Sequence, residues 1–153
     1  MGNITKPYQL NFDLRPHYLY ARVTADEMDV PTAIEYMTAV IAKCRELKAK
    51  RLLIEHIVGV GLSIKDTFEV TKAVASMPVS GIKIAFVDAD PEYYENYRFG
   101  ELVGDNRGIW GRVCTTVPDA ESWLLENIPL DGPPLLGVFP VLCILYLVHA
   151  VGF

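Results

Sequence analysis

Apolar and polar positions alternate with a period of two in two short runs near the start of the chain. Tyr8, Leu10, Phe12 and Leu14 point one way, with Gln9, Asn11 and Asp13 between them; Leu19, Ala21 and Val23 alternate with Tyr18, Tyr20 and Arg22. A half-buried strand has that rhythm, because successive side chains leave it on opposite faces. Arg15-Pro16-His17 separates the runs, and proline ends a ladder because it has no N–H to donate. The two runs predict an antiparallel hairpin.

The period then becomes helical. Val30, Ile34, Met37, Ile41 and Cys44 recur at three- and four-residue steps, with Ala33 and Val40 in the same stripe. Asp29 and Pro31 mark the start, an acid at the cap and a proline in the first turn. Lys43, Arg45, Lys48 and Lys50 crowd the other end, where the helix dipole favours cations, so this basic run reads as a solvated helix end. Arg51–Ile57 follows as a strand that is apolar on both faces at Leu52, Leu53 and Ile54, as a strand covered from two sides should be.

Gly59 and Gly61 read as a tight turn, and Ser63, three residues before Asp66, caps a helix carrying Phe68, Val70, Ala73, Val74 and Met77. Residues 81–87 predict another buried strand, closing at Asp88. Asp90-Pro91-Glu92 predicts a helix start, and that helix runs through Tyr94, Tyr97 and Leu102 to Gly104. Trp110–Thr115 is the last strand, and Thr116-Val117-Pro118-Asp119 leads into a helix over 120–127 with Trp123 and Leu124 buried. The order ββαβαβαβα predicts an α/β domain over residues 1–127. Its sheet is mostly parallel, four- to five-stranded, with the hairpin as its antiparallel part.

Beyond this domain the pattern stops. Residues 127–134 (NIPLDGPP) have linker composition, and Leu135–Phe153 contains no Asp, Glu, Lys or Arg. As a helix that tail would span roughly 28 Å, close to a bilayer core. Pro140 interrupts it and no basic residues flank it. Three readings stand: a membrane anchor, an apolar element folded back on the domain, or a non-native end from a change of reading frame.

Composition narrows the function classes. The chain has 153 residues, is 51% hydrophobic and carries a net charge of −5. An acidic surface argues against a nucleic-acid backbone as partner. Cys44, Cys114 and Cys143 are odd in number and far apart, which is neither a disulfide framework nor a zinc spacing. With no basic head and apolar run at the start, the expectation is a reducing, cytoplasmic compartment, with no metal or other cofactor.

Chemistry-bearing residues are few. Gly59-Val60-Gly61 before a helix invites a phosphate, but Ile64 stands where the dinucleotide fingerprint needs its third glycine, and no GK[ST] follows. His56 and Asp88 fall at the C-terminal ends of neighbouring strands, where α/β ligand crevices form. Cys114 ends the last strand, so a Cys/His/Asp set can be sketched, against the plainer reading of a core-edge cysteine and a surface histidine. Tyr18, Tyr20 and Arg22 share one strand face, Trp110 and Arg112 another, and such aromatic–arginine rows could line a partner or ligand surface. Glu92, Glu95, Glu101 and Asp105 read as a solvated helix face.

The series KRLLIE, GLSIKDTFE, KIAFVD, RFGELVGDNRG and PDAESWL resembles the SpoIIAA-like (STAS-like) bacterial proteins, and the resemblance covers about Tyr8 to Leu125. The resemblance implies an α/β fold of successive strand–helix turns, no known catalytic residues, and a role in protein–protein regulation or apolar-ligand binding. Anti-sigma-factor antagonists related to that family carry a phosphorylatable serine in a DSSG-type turn. Here Gly59, Gly61 and Ser63 occupy that region without the motif.

Three functions therefore make different demands on the structure. A non-enzymatic module that binds a protein partner or itself needs an exposed aromatic–arginine patch and no deep pocket. A carrier or sensor of a small apolar, lipid-like molecule needs an enclosed cavity of several hundred Å3. A hydrolase or transferase needs His56 and Asp88 within hydrogen-bond reach in one cleft.

Overall fold

The computed structural model describes residues 6–127; the linker after residue 127 and the uncharged tail lie outside the described residues. Strands β1 (Gln9–Leu14) and β2 (Leu19–Glu27) form the predicted hairpin. Then follow α1 (Val30–Leu47), β3 (Arg51–Val60), α2 (Ile64–Ala75), β4 (Lys83–Val87), α3 (Tyr94–Asp105), β5 (Trp110–Cys114) and α4 (Val117–Leu124). The sheet has five strands in the order β1-β2-β3-β4-β5, antiparallel between β1 and β2 and parallel thereafter. The architecture is α/β with a mixed sheet.

Strand alternation divides the sheet into two unlike faces. Leu19, Ala21 and Val23 on β2, Leu52 and Ile54 on β3 and Ile84 on β4 pack with residues of α1, α2 and α3 in the larger core. Leu53, Ala85, Val87, Cys114 and Tyr18 face the other way and pack with Ala120 and Leu124 of α4. Leu52, Leu53 and Ile54 are all fully buried, as a strand covered on both sides requires.

The caps follow the sequence closely. Asp29 accepts a hydrogen bond from the Thr32 N–H at 2.9 Å, and Ser63 one from the Asp66 N–H at 3.1 Å. Thr116 does the same for Asp119 at 3.2 Å, which starts α4 three residues before the predicted helix. The start of α3 departs in the opposite sense. Asp88 accepts from the Asp90 N–H and Asp90 from the Glu92 N–H, so local side-chain turns take the acids that would have capped the helix. The helix then begins at Tyr94 without a side-chain cap.

The glycine-spaced turn is not a turn. Strand β3 runs on to Val60 because β2 runs on beside it to Glu27, and the Met28 N–H donates to the Val60 carbonyl at 2.8 Å. Gly59 therefore lies within the strand, and neither Gly59 nor Gly61 has a positive φ. Their lack of a side chain serves close approach instead. A Cβ on Gly59 would stand 2.6 Å from the Asp26 carbonyl oxygen, and one on Gly61 would stand 2.5 Å from the Tyr97 hydroxyl.

Candidate functional site

The middle of β3 and the C-terminal end of β4 bring His56 and Asp88 together; because β3 runs on to Val60, His56 does not stand at its strand's end, where the sequence reading puts it. His56 Nδ1 lies 2.8 Å from Asp88 Oδ2, and both residues are buried. The histidine is thus not a surface residue, contrary to the plainer sequence reading, and the two side chains do meet. The strand register places Glu55 opposite Val87, so each of the pair is one residue past that level on neighbouring strands. Asp88 is fixed at both oxygens, because Oδ1 accepts from the Asp90 N–H at 2.9 Å. Its own N–H donates to the Cys114 carbonyl at 3.1 Å, tying the end of β4 to β5.

Aromatic rings enclose the imidazole. Phe86, Tyr97 and Tyr36 have ring centroids 5.0, 5.6 and 6.2 Å from that of His56. Burial pushes the Tyr97 and Tyr36 hydroxyls well above the usual phenol range, with the Asp88 charge adding to the effect, so both stay protonated. Tyr97 Oη accepts from the Leu62 N–H at 3.2 Å, anchoring α3 to the segment that enters α2.

Next to this cluster a cleft opens between α2, α3 and the sheet, with a volume of about 130 Å3. Its walls are mainly apolar, including Ile54, Leu62, Val70, Val74, Ile84 and Ile109, and the residues His56, Tyr36, Tyr97, Thr67, Glu101 and Arg112 also line it. Thr67 is 4% exposed, and its hydroxyl is the one buried side-chain polar atom among the described residues without a hydrogen-bond partner. A buried hydroxyl left unpaired costs about 1–3 kcal/mol, so its persistence in a cleft wall calls for a partner. Gly100 lets the helices meet at this point: a Cβ there would stand 2.7 Å from Thr67 Cγ2.

Of the other predicted residues, Glu101 and Arg112 also border the cleft, and the rest lie apart from it. Cys114 packs on the opposite face beneath α4, where burial pushes its thiol up, so the Cys/His/Asp set does not assemble. Tyr18 is likewise buried there, its hydroxyl donating to Glu121 at 2.7 Å and accepting from Arg15 at 2.9 Å. Tyr20 donates to Glu55 at 3.0 Å, with Arg22 3.8 Å from the same carboxylate. Trp110 is 58% exposed and Arg112 is exposed on β5, but β3 and β4 separate them from the β2 row. The two rows share a face without forming one surface. Ser63 is exposed and engaged as a helix cap. Glu101, expected on a solvated face, is half-buried and accepts from the Val113 N–H at 2.8 Å, covering a backbone donor of the edge strand.

Tyr36 and Thr67 were not singled out by sequence, although a signal exists for each. Both stand at core-facing steps of their helices, beside Ala33 and Val40 in one and Val70 and Val74 in the other. A hydroxyl on the apolar stripe of an amphipathic helix is a mark of a polar site within a core. No group of three or more His, Cys, Asp or Glu among the described residues could hold a metal ion. No helix among them is long and apolar enough to cross a membrane. The chain matches no protein-family model and no curated protein.

An aspartate that fixes one imidazole nitrogen leaves the other to act as base, ligand or hydrogen-bond acceptor. The contact that the hydrolase or transferase reading demanded is therefore present. Nucleophilic catalysis also needs a hydroxyl or thiol hydrogen-bonded to the imidazole. Among the described residues, the bond to Asp88 is the one that the His56 side chain makes.

Proposed function

We propose that this domain is a non-enzymatic binding and sensing module that takes a small, mostly apolar molecule into the cleft between α2, α3 and the sheet. One observation carries the reading: an apolar cleft whose wall holds a buried hydroxyl with no protein partner, Thr67. Apolar walls with a few convergent polar groups are the ordinary composition of small-molecule sites. The size sets the ligand class. At about 130 Å3 the cleft is smaller than the several hundred Å3 of a lipid carrier. It is close to the roughly 150 Å3 cavity that accepts benzene.

The STAS-like resemblance belongs to the same reading. The mixed sheet with three successive strand–helix units on one face is compatible with it, and so is an apolar-ligand role. A cytoplasmic setting accords with the buried free thiols of Cys44 and Cys114. A second reading, docking of a partner protein, is favoured by Trp110, which lies 58% exposed on the edge strand beside Arg112.

Titrating the isotope-labelled full chain with benzene while recording amide NMR spectra tests the first reading. Shifts should concentrate at Leu62, Thr67, Gly100 and Val113 and saturate together, and filling the cleft with Val70→Phe should abolish them. Shifts at Trp110 and Arg112 alone would favour the second reading instead.

A further inference from the structure

The polar edge of the cleft selects one kind of ligand. An aspartate carboxylate only accepts, so Asp88 holds the proton of a neutral His56 on Nδ1 and leaves the Nε2 lone pair free. His56 and Thr67 both line the cleft, so the free Nε2 and the unpartnered hydroxyl belong to residues of its wall. The cleft's one Lys or Arg neighbour among the described residues is Arg112. Arg112 is exposed, and strand alternation sends its side chain with those of Trp110 and Cys114 toward the α4 face. The charged group left in the wall is Glu101, which is occupied by the Val113 N–H and Arg98. A carboxylate or phosphate would enter beside Glu101 and near Asp88 with nothing to pair with. An ammonium would lose its hydration in an apolar cleft whose nearest carboxylates are already engaged.

We propose that the ligand is an uncharged, benzene-sized molecule bearing one hydroxyl that donates to His56 Nε2, with phenol as its simplest representative. This rests on the cleft being a ligand site at all. Asp88 acts in it as a positioning residue that sets the imidazole tautomer. Because Asp88 Oδ1 accepts from the Asp90 N–H, the amide of an Asp88→Asn variant must keep its carbonyl there and turn its NH2 toward Nδ1. The proton then moves to Nε2, and the acceptor in the cleft becomes a donor.

Calorimetric titration of the full chain with phenol, anisole and toluene at neutral pH tests this. Phenol should bind about tenfold more tightly than anisole, which has the same ring and oxygen but no proton to donate. In Asp88→Asn that ratio should fall to about one or invert, with toluene affinity unchanged; the unchanged toluene affinity would show that the cleft itself survives the substitution. His56→Gln, which replaces the ring with a different acceptor, should weaken phenol more than toluene. Equal affinity of all three probes for the native protein would overturn the hydroxyl assignment while leaving the cleft a ligand site. Binding of none would overturn both, and tighter binding of benzoate than of phenol would overturn the exclusion of anions.

Discussion

The two faces of the sheet bury polar groups in opposite ways. Under α4, Tyr18 both donates and accepts, and the Lys83 ammonium donates to the Trp123 carbonyl at 2.7 Å between two indole rings. Burial holds the Lys83 pKa below the usual lysine range, yet the nitrogen is hydrogen-bonded. These contacts fasten a short helix to the sheet. Under α2 and α3, by contrast, Thr67 has no partner, and His56 is bonded through one nitrogen. Satisfied burial is architecture, while burial with capacity left over identifies a site.

Adjacent residues on one strand give the largest test of that contrast. Leu53 faces α4 and Ile54 lines the cleft, and both are fully buried. Leu53→Ala should cost about 4 kcal/mol, near the upper end for large-to-small core changes, and Ile54→Ala about 2–3 kcal/mol, because its surroundings can relax into existing space. Urea melts of both variants measure this, and an equal or larger loss for Ile54→Ala would mean that the cleft is closed in solution.

Removing a hydroxyl should act with opposite signs on the two faces. Tyr18→Phe deprives Arg15 and Glu121 of a buried partner and should destabilise the domain by about 1–2 kcal/mol. Thr67→Val discards an unpaired hydroxyl at nearly constant shape and should stabilise the ligand-free domain by up to about 1 kcal/mol. Chemical denaturation of the two variants side by side reads the sign directly. A loss in both would show that Thr67 has a partner when the protein is in water.

Most of the architecture was legible in the sequence because it rests on local rules. Period-two runs gave the hairpin, and the caps at Asp29, Ser63 and Thr116 form as their residue types imply. The errors arose where tertiary contacts outweighed local signals. Gly59 and Gly61 have the composition of a turn, but the extra length of β2 extends β3 past them, and packing against Asp26 and Tyr97 is what requires glycine. At Asp90 two side-chain turns compete with a helix cap and prevail.

The site was legible only in part. His56 and Asp88 could be placed on neighbouring parallel strands, but only Asp88 lies at a strand end, because β3 runs four residues past His56. Whether they met depended on register and side-chain direction, which spacing does not encode. The cleft is further still from the sequence. It arises where Gly100 draws α3 against Thr67 of α2, a contact between residues distant along the chain.

The most direct test of the central claim is thermal unfolding of the full chain with and without phenol, in the native sequence and in Val70→Phe. A ligand that binds only the folded state at about a hundred times its Kd adds about 2.7 kcal/mol, enough to raise Tm by several degrees. That rise should appear in the native protein and vanish when the cleft is filled, with Thr67→Leu as a second filling variant should Val70→Phe fail to fold. No shift in the native protein, or the same shift in the filled variants, would contradict it.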